Sequence, residues 1–501
     1  MFEVAKIFTD HMVLQRNKPI RIFGTGNERI TVTFDGKSAV AEPQNGKWVA
    51  ELPPHTHGGP YELTVSASQK NIILKDILIG DVWLATGQSN MEMPLMADLR
   101  GIDEAKHCQN DKIRLYTCLR ETHPTKTKPS WAFGWALNEG KPWQLCNEES
   151  ALYFSAIGYY VAKFINERTS VPIGVISANR GCAKIEAFVP EKAFEENEFK
   201  DYLKWFNDNK ATVDEAERAY DRISKENTEN MKGYEKTAEE YYRSLLPEAA
   251  SKKIEMLPRS QAELPLCEYS VIAPSVFYSV FFRQQLEPMS ICGVLWYQGE
   301  SNRFDLNYAD KFKLMAQYWR EALCDTEIPF YTVEIAPHGY PEEMVPARFR
   351  MEQWRAARIT DKTYITSTRD LGDYEGIHPH RKMEVAKQLS NQILNHTYGV
   401  ENYCECASYK DFEIKDGKVY ISLYNDEGFF GYENGINMKI CGSDGVFLPA
   451  KAEYKNGRLV VWNDDIKEPL HVRYCYDSYF EKGTYYNKAG LPLAPFTTEE
   501  I

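Results

Sequence analysis

The 501-residue sequence has no Cys-x-x-Cys pair and no Gly-x-Ser-x-Gly. It also lacks an excess of positive charge and any apolar run long enough to span a bilayer. Each absence removes a class. Lys and Arg total 59 against 72 Asp and Glu, a net charge of -13, so a nucleic-acid or anionic-membrane partner is not expected. Without the Gly-x-Ser-x-Gly elbow the chain is not an α/β-hydrolase. The eleven cysteines are odd in number and scattered, and the closest pair, Cys404 and Cys406, is no metal knuckle. Free thiols in a reducing compartment account for them. The opening "MFEVAKIFTDHMVLQ" has no apolar core and no small-residue cleavage site. The cytoplasm is therefore the expected location, with export after leader removal as the alternative.

What is present suits a multidomain globular protein. The length implies two to four domains, and 43 % hydrophobic residues supply a core. Residues 1–78 read as a small β-sandwich, with strands joined at Asp35-Gly36 and Asn45-Gly46. Residues 401–501 repeat the style around Asp416-Gly417 and Asn456-Gly457, which predicts a second β-rich module. Between them, over 79–400, apolar runs such as "DVWLAT", "IRLYTC", "VPIGVISA", "ICGVLWYQ" and "IPFYTVEIA" alternate with helical spacing, as at 151–165 and 308–323. That alternation predicts an α/β domain built on a doubly wound parallel sheet, with chemistry at the carboxyl ends of its strands. The charged stretch at 191–258 breaks the pattern and reads as an inserted helical hairpin, either a solvated arm or a lid or subunit contact.

In "LATGQSNMEMP" a buried run stops at Gly87 and Gln88, Ser89 and Asn90 follow. Ser89 reads either as a helix N-cap or as a nucleophile at a strand end. An acyl-transferring serine needs a base and oxyanion donors. Of ten histidines, His378 in "DLGDYEGIHPHRK" stands in a Gly- and Pro-punctuated loop with Asp370, Asp373 and Glu375 ahead of it. A carboxylate three residues earlier, as Glu375 is, suits an orienting acid. "GVLWYQGESNR" ends a strand on Gln298 and Glu300, and "VISANRGCAKIEAF" ends one beside Gly181. Four strand ends or loops thus carry polar groups suited to one site.

The segments "GDVWLATGQSNMEMPL", "GVLWYQGESN" and "GIHPHRK" resemble the sialate O-acetylesterase family of the SGNH hydrolase superfamily. "FTDHMVLQRNKPIRIFGTG", "GGPYELTV" and "YYNKAGLPLAPFTTE" resemble that family's ends, so the likeness covers nearly the whole chain outside the charged insertion. The resemblance implies an SGNH-hydrolase, flavodoxin-like fold. It implies Ser89 as nucleophile, His378 as base, and Gly181 with the Ser89 N–H as oxyanion donors. Gln298 takes the place of a third donor, with Glu300 beside it. Two departures stand out. Relatives commonly carry Trp-Gly-Gly-Thr where this chain has Arg180-Gly181-Cys182-Ala183, and the Asp-x-x-His acid is here Glu375. The triad is then Ser-His-Glu, or a Ser-His dyad with a backbone carbonyl on His378.

The implied function is hydrolysis of acetyl esters on sugar hydroxyls, of sialic acids or of plant-glycan oligosaccharides such as xylan and mannan. A glycan-binding module without turnover is the alternative class. No cofactor is expected. A metal pair at His378 and His380 lacks a completing cluster, Cys182 lacks a neighbouring histidine as nucleophile, and Glu92 with Glu300 reads better as internal hydrogen bonding than as a glycosidase pair.

Overall fold

The computed structural model describes residues 2–68, 70–120, 140–230, 265–431, 435–480 and 485–500. The chain forms two compact units. The first comprises Met1–Ser301, Asp310–Phe330 and His380–Ala386; the second comprises Asn302–Ala309, Tyr331–Pro379 and Lys387–Ile501.

The first unit is organised by one long strand, β1 (Lys70–Gly87). Its first half alternates exposed and part-buried residues and pairs antiparallel with Gly58–Ala67. From Leu78 onward every residue is buried. This second half pairs in parallel with Ile173–Asn179 and Gly293–Tyr297. The expected domain boundary at residue 78 therefore falls inside a continuous strand. Period-two patterning suits the half-solvated end, and a continuous apolar run suits the end covered on both faces.

With β2 (Asn110–Thr117), β3 (Ile173–Asn179) and β4 (Gly293–Tyr297), the order is β2-β3-β1-β4. The three pairings between these neighbours are parallel, and a short strand, Gln144–Cys146, pairs antiparallel on β2. Register matters most at the tips. Asn179 and Tyr297 both lie opposite Gly87, so β1, β3 and β4 end at one level and their following turns emerge together.

Local signals formed as the sequence predicts in several places. The hairpin turns at Asp35-Gly36, Asn45-Gly46, Asp416-Gly417 and Asn456-Gly457 each hold both residues at positive φ. This is the twist-matched two-residue geometry that Asn/Asp-Gly favours. The helical stretch expected at 151–165 is interrupted: Glu148–Leu152 is capped by Asn147, and Ser155 then caps Ala156–Thr169. The charged insertion contains the helices Asn197–Asn209 and Val213–Asn230. Thr212 and Glu215 form a capping box at the start of the latter. The remainder of the expected hairpin, 231–258, lies outside the described residues.

The second unit carries two four-stranded antiparallel sheets. One contains Ser408–Lys415, Lys418–Tyr424, Arg458–Trp462 and Lys451–Lys455. The other contains Leu448–Pro449, Met438–Cys441, His471–Tyr474 and Phe496–Thr497. Val419, Ile421 and Leu459 from the first sheet share a core with Ile440, Val472 and Phe496 from the second. Among the described residues no helix is long and apolar enough to cross a membrane.

Candidate active site

Strand β1 ends where its neighbour leaves no room. At Gly87, with φ +135°, a β-carbon would stand 2.2 Å from the carbonyl oxygen of Tyr297. Only glycine fits this backbone approach. The chain then turns: the N–H of Gln88 donates to Tyr297 O at 3.0 Å, and a four-residue helix, Ser89–Glu92, begins. Its cap position is Gln88, whose side chain makes no capping bond. Instead its Oε1 accepts from the N–H of Gly299 (3.2 Å) and of Ser301 (3.4 Å). Ser89 is the first helical residue and half-buried. The N-cap reading of this serine is thereby set aside.

Gly181 lies beside Ser89. A β-carbon at Gly181 would be 3.6 Å from Ser89 Cβ and 3.4 Å from Glu92 Oε2. The Gly181 N–H, expected to face a substrate oxyanion, donates to Glu92 Oε2 at 2.7 Å. Glu92 is also ion-paired through Oε1 with Arg120, and both side chains are almost fully buried. The carboxylate thus occupies the donor that sequence reasoning assigned to the substrate. Cys182 follows at φ +62°, exposed, in the backbone conformation that glycine prefers.

From the end of β4, Gln298 is wholly buried and donates from Nε2 to Ala183 O at 3.1 Å. Glu300 accepts from Asn90 Nδ2 at 2.5 Å through Oε1. Burial pushes its carboxyl above the ordinary carboxylate range, opposed by backbone bonding, the Asn90 amide and the Lys382 charge. The internal hydrogen-bonding role expected for Glu92 and Glu300 is what these contacts provide. Ser89, Gly181, Gln298 and Glu300 are therefore brought together on the first unit, by the shared level of three strand ends.

His378 and Glu375 belong to the second unit, on the loop between Thr363–Thr366 and Lys382–His396. This loop is built by its backbone. Asp373 Oδ1 accepts from the N–H of Glu375 at 3.1 Å, and the Gly339 N–H donates to Tyr374 O at 3.1 Å. The three carboxylates ahead of His378 separate in role. Asp370 pairs with Arg369 at 3.0 Å and accepts from Tyr486 at 2.8 Å. Asp373 closes the turn. Glu375 is exposed, and its carboxylate has no hydrogen-bond or ion-pair partner among the described residues. The expected contact between Glu375 and the half-buried His378 is therefore not formed in this structure. A carboxylate left in water gains little from one more weak contact.

Sequence reasoning missed Arg120, Asp98 and Lys382. Arg120 stands in a segment with no periodicity to mark it. Lys382 is the last residue of the "GIHPHRK" block, but nothing about an isolated lysine announces burial. His380 is held by Nδ1 to Ala97 O at 2.6 Å. Among the described residues only His396, Cys404 and Glu405 form a three-ligand group. There burial pushes the Cys404 thiol up to about 12, and His396 pairs with Glu405 at 2.8 Å.

The chain is similar to known carbohydrate esterases. Residues 238–397 match the family described as carbohydrate esterase, sialic acid-specific acetylesterase. The sialate O-acetylesterase of Mus musculus is 24 % identical, the alignment covering 99 % of this chain and 94 % of that protein. The Homo sapiens enzyme of the same name is 22 % identical over 80 % of this chain and 72 % of its own. The crystal structure of a carbohydrate acetylesterase from Xanthomonas citri superposes with a TM-score of 0.77, at 24 % identity and over the whole of both chains.

Proposed function

We propose that this chain, a relative of the sialate O-acetylesterases, hydrolyses acetyl esters on sugar hydroxyls with Ser89 as nucleophile and His378 as base. The observation that carries the assignment is the placement of Ser89. It follows a buried strand end, is not used as a helix cap, and has Gly181 beside it. The wound parallel sheet of the SGNH type is part of the same proposal, supported by the parallel pairings of β1, β3 and β4.

In the first half-reaction Ser89 Oγ attacks the acetyl carbonyl while His378 takes the hydroxyl proton. The oxyanion so formed takes a hydrogen bond from the N–H of Ser89; the Gly181 N–H, which here donates to Glu92 Oε2, becomes a second donor on turning away from that carboxylate. Collapse returns the proton from His378 to the departing sugar oxygen and leaves acetyl on Ser89. Water, deprotonated by His378, then releases acetate and restores the serine.

The test is acetate release from acetylated sialic acids and from acetylated xylo- and manno-oligosaccharides, by wild type and Ser89→Ala. Turnover by the wild type alone supports the proposal. Binding of these sugars without acetate release, even from an aryl acetate, would make the protein a glycan-binding module instead.

A further inference from the structure

The ester-hydrolysis steps leave a buried polar chain beneath the nucleophile turn without a task. Lys382 opens the helix Lys382–His396, four residues after His378 in sequence, and is 1 % exposed. Its Nζ donates to Asn90 Oδ1 at 2.6 Å, and Asn90 Nδ2 donates onward to Glu300 Oε1 at 2.5 Å. The ammonium also lies 5.3 Å from the centre of the Tyr297 ring. Its backbone is held as firmly. Asp98 Oδ2 accepts from the N–H of Lys382 (2.9 Å) and of Met383 (3.2 Å), while Oδ1 accepts from Tyr160 (3.0 Å) and the Arg100 N–H (3.0 Å).

Asn90 is the residue after Ser89, inside a helix of four residues. A helix that short has no cooperative stability of its own, so beside the backbone bond from Gln88 to Tyr297 its position depends on side-chain contacts. Asn90 is gripped by an ammonium on one side and a carboxyl on the other, and charged partners make the stronger hydrogen bonds. We propose that Lys382 is a positioning residue for Ser89, fixing the nucleophile turn through Asn90 and Glu300. This inference rests on Ser89 being the nucleophile.

Burial is the cost of the arrangement. It brings the Lys382 ammonium down to about 7, with Glu300 and Asp98 pulling in the opposite direction. A second buried lysine is available for comparison: Lys311, paired directly with Glu186 at 2.6 Å.

The experiment is steady-state kinetics on an aryl acetate with Lys382→Met and Lys311→Met, each checked for folding. Lys382→Met is expected to lose about a hundredfold in kcat with KM within about threefold, as a displaced reacting group does. Modification of Ser89 by a fluorophosphonate should slow in parallel. Lys311→Met should keep kcat within about threefold despite lowered stability. Lys382→Gln, which retains a donor, should recover part of the loss and serves if the methionine variant does not fold. A folded Lys382→Met with unchanged kcat and unchanged Ser89 modification overturns the inference, as does a folded Lys382→Gln that loses as much as Lys382→Met. So does an equal loss in Lys311→Met. Activity retained by Ser89→Ala would instead sink the function reading itself.

Discussion

The turn that carries Ser89 and the loop that carries His378 are built in opposite ways. Around Ser89, Gln88, Asn90 and Glu92 are buried, and each side chain is bonded to a distant segment: the β4 tip, Lys382, Gly181 or Arg120. Around His378, Asp373, Tyr374 and Glu375 are exposed, and an Asp-capped turn and a backbone bond from Gly339 to Tyr374 shape this part of the loop. A nucleophile must be aimed to within a fraction of an ångström. A base that takes and returns a proton works from a histidine with access to water and substrate. Over-determination of the one and economy in the other teach that the two are not equally tolerant of change.

The largest effect tests whether the two segments serve one reaction at all. Ser89→Ala and His378→Ala should each lower kcat by about a million-fold, and the double variant should be hardly worse. Independent, additive losses would show that they do not act as a unit. Next is the buried support of the serine turn. Glu92→Ala removes the carboxylate paired with the buried Arg120 guanidinium, so urea unfolding should report a loss of about 3–5 kcal/mol. A loss below about 1 kcal/mol would mean that the turn is not held by this pair.

The sparser loop should respond less. Glu375→Gln is expected to cost about tenfold in kcat, because its carboxylate is exposed and unbonded to described residues. An orienting carboxylate with no substitute is worth about ten thousandfold. A thousandfold loss would therefore restore Glu375 as the fixed acid and erase much of the contrast between the two regions. The smallest effect concerns Cys182. Its left-handed backbone costs a non-glycine residue about 1–2 kcal/mol, so Cys182→Gly should leave the melting temperature unchanged or raise it slightly, with aryl acetate turnover intact. A lowered melting temperature would show that the sulfur packs usefully beside the serine.

Much of this architecture could be read along the chain. The four Asn/Asp-Gly turns and the apolar strands of the parallel sheet are local facts, decided by φ preferences and by side-chain periodicity. The Ser89 block, the Gly181 turn and the Gln298 block could each be picked out because an apolar run stops abruptly on polar residues. Less could be read at helix 151–165, where an unrecognised cap at Ser155 divides the stretch. The sequence also gave no sign that β1 would carry an antiparallel hairpin at one end and the parallel sheet at the other.

Sequence by itself determined the strands, their turns and the residue types offered at their tips, because these depend on neighbours a few positions away. Tertiary structure alone decided what those residues touch. The Gly181 N–H meets Glu92 across 89 residues, and Asn90 meets Lys382 across 292. Such partners are set by the register that brings Gly87, Asn179 and Tyr297 to one level. Periodicity reports which face of a strand is buried. It carries no information about which distant side chain will fill the space beside it.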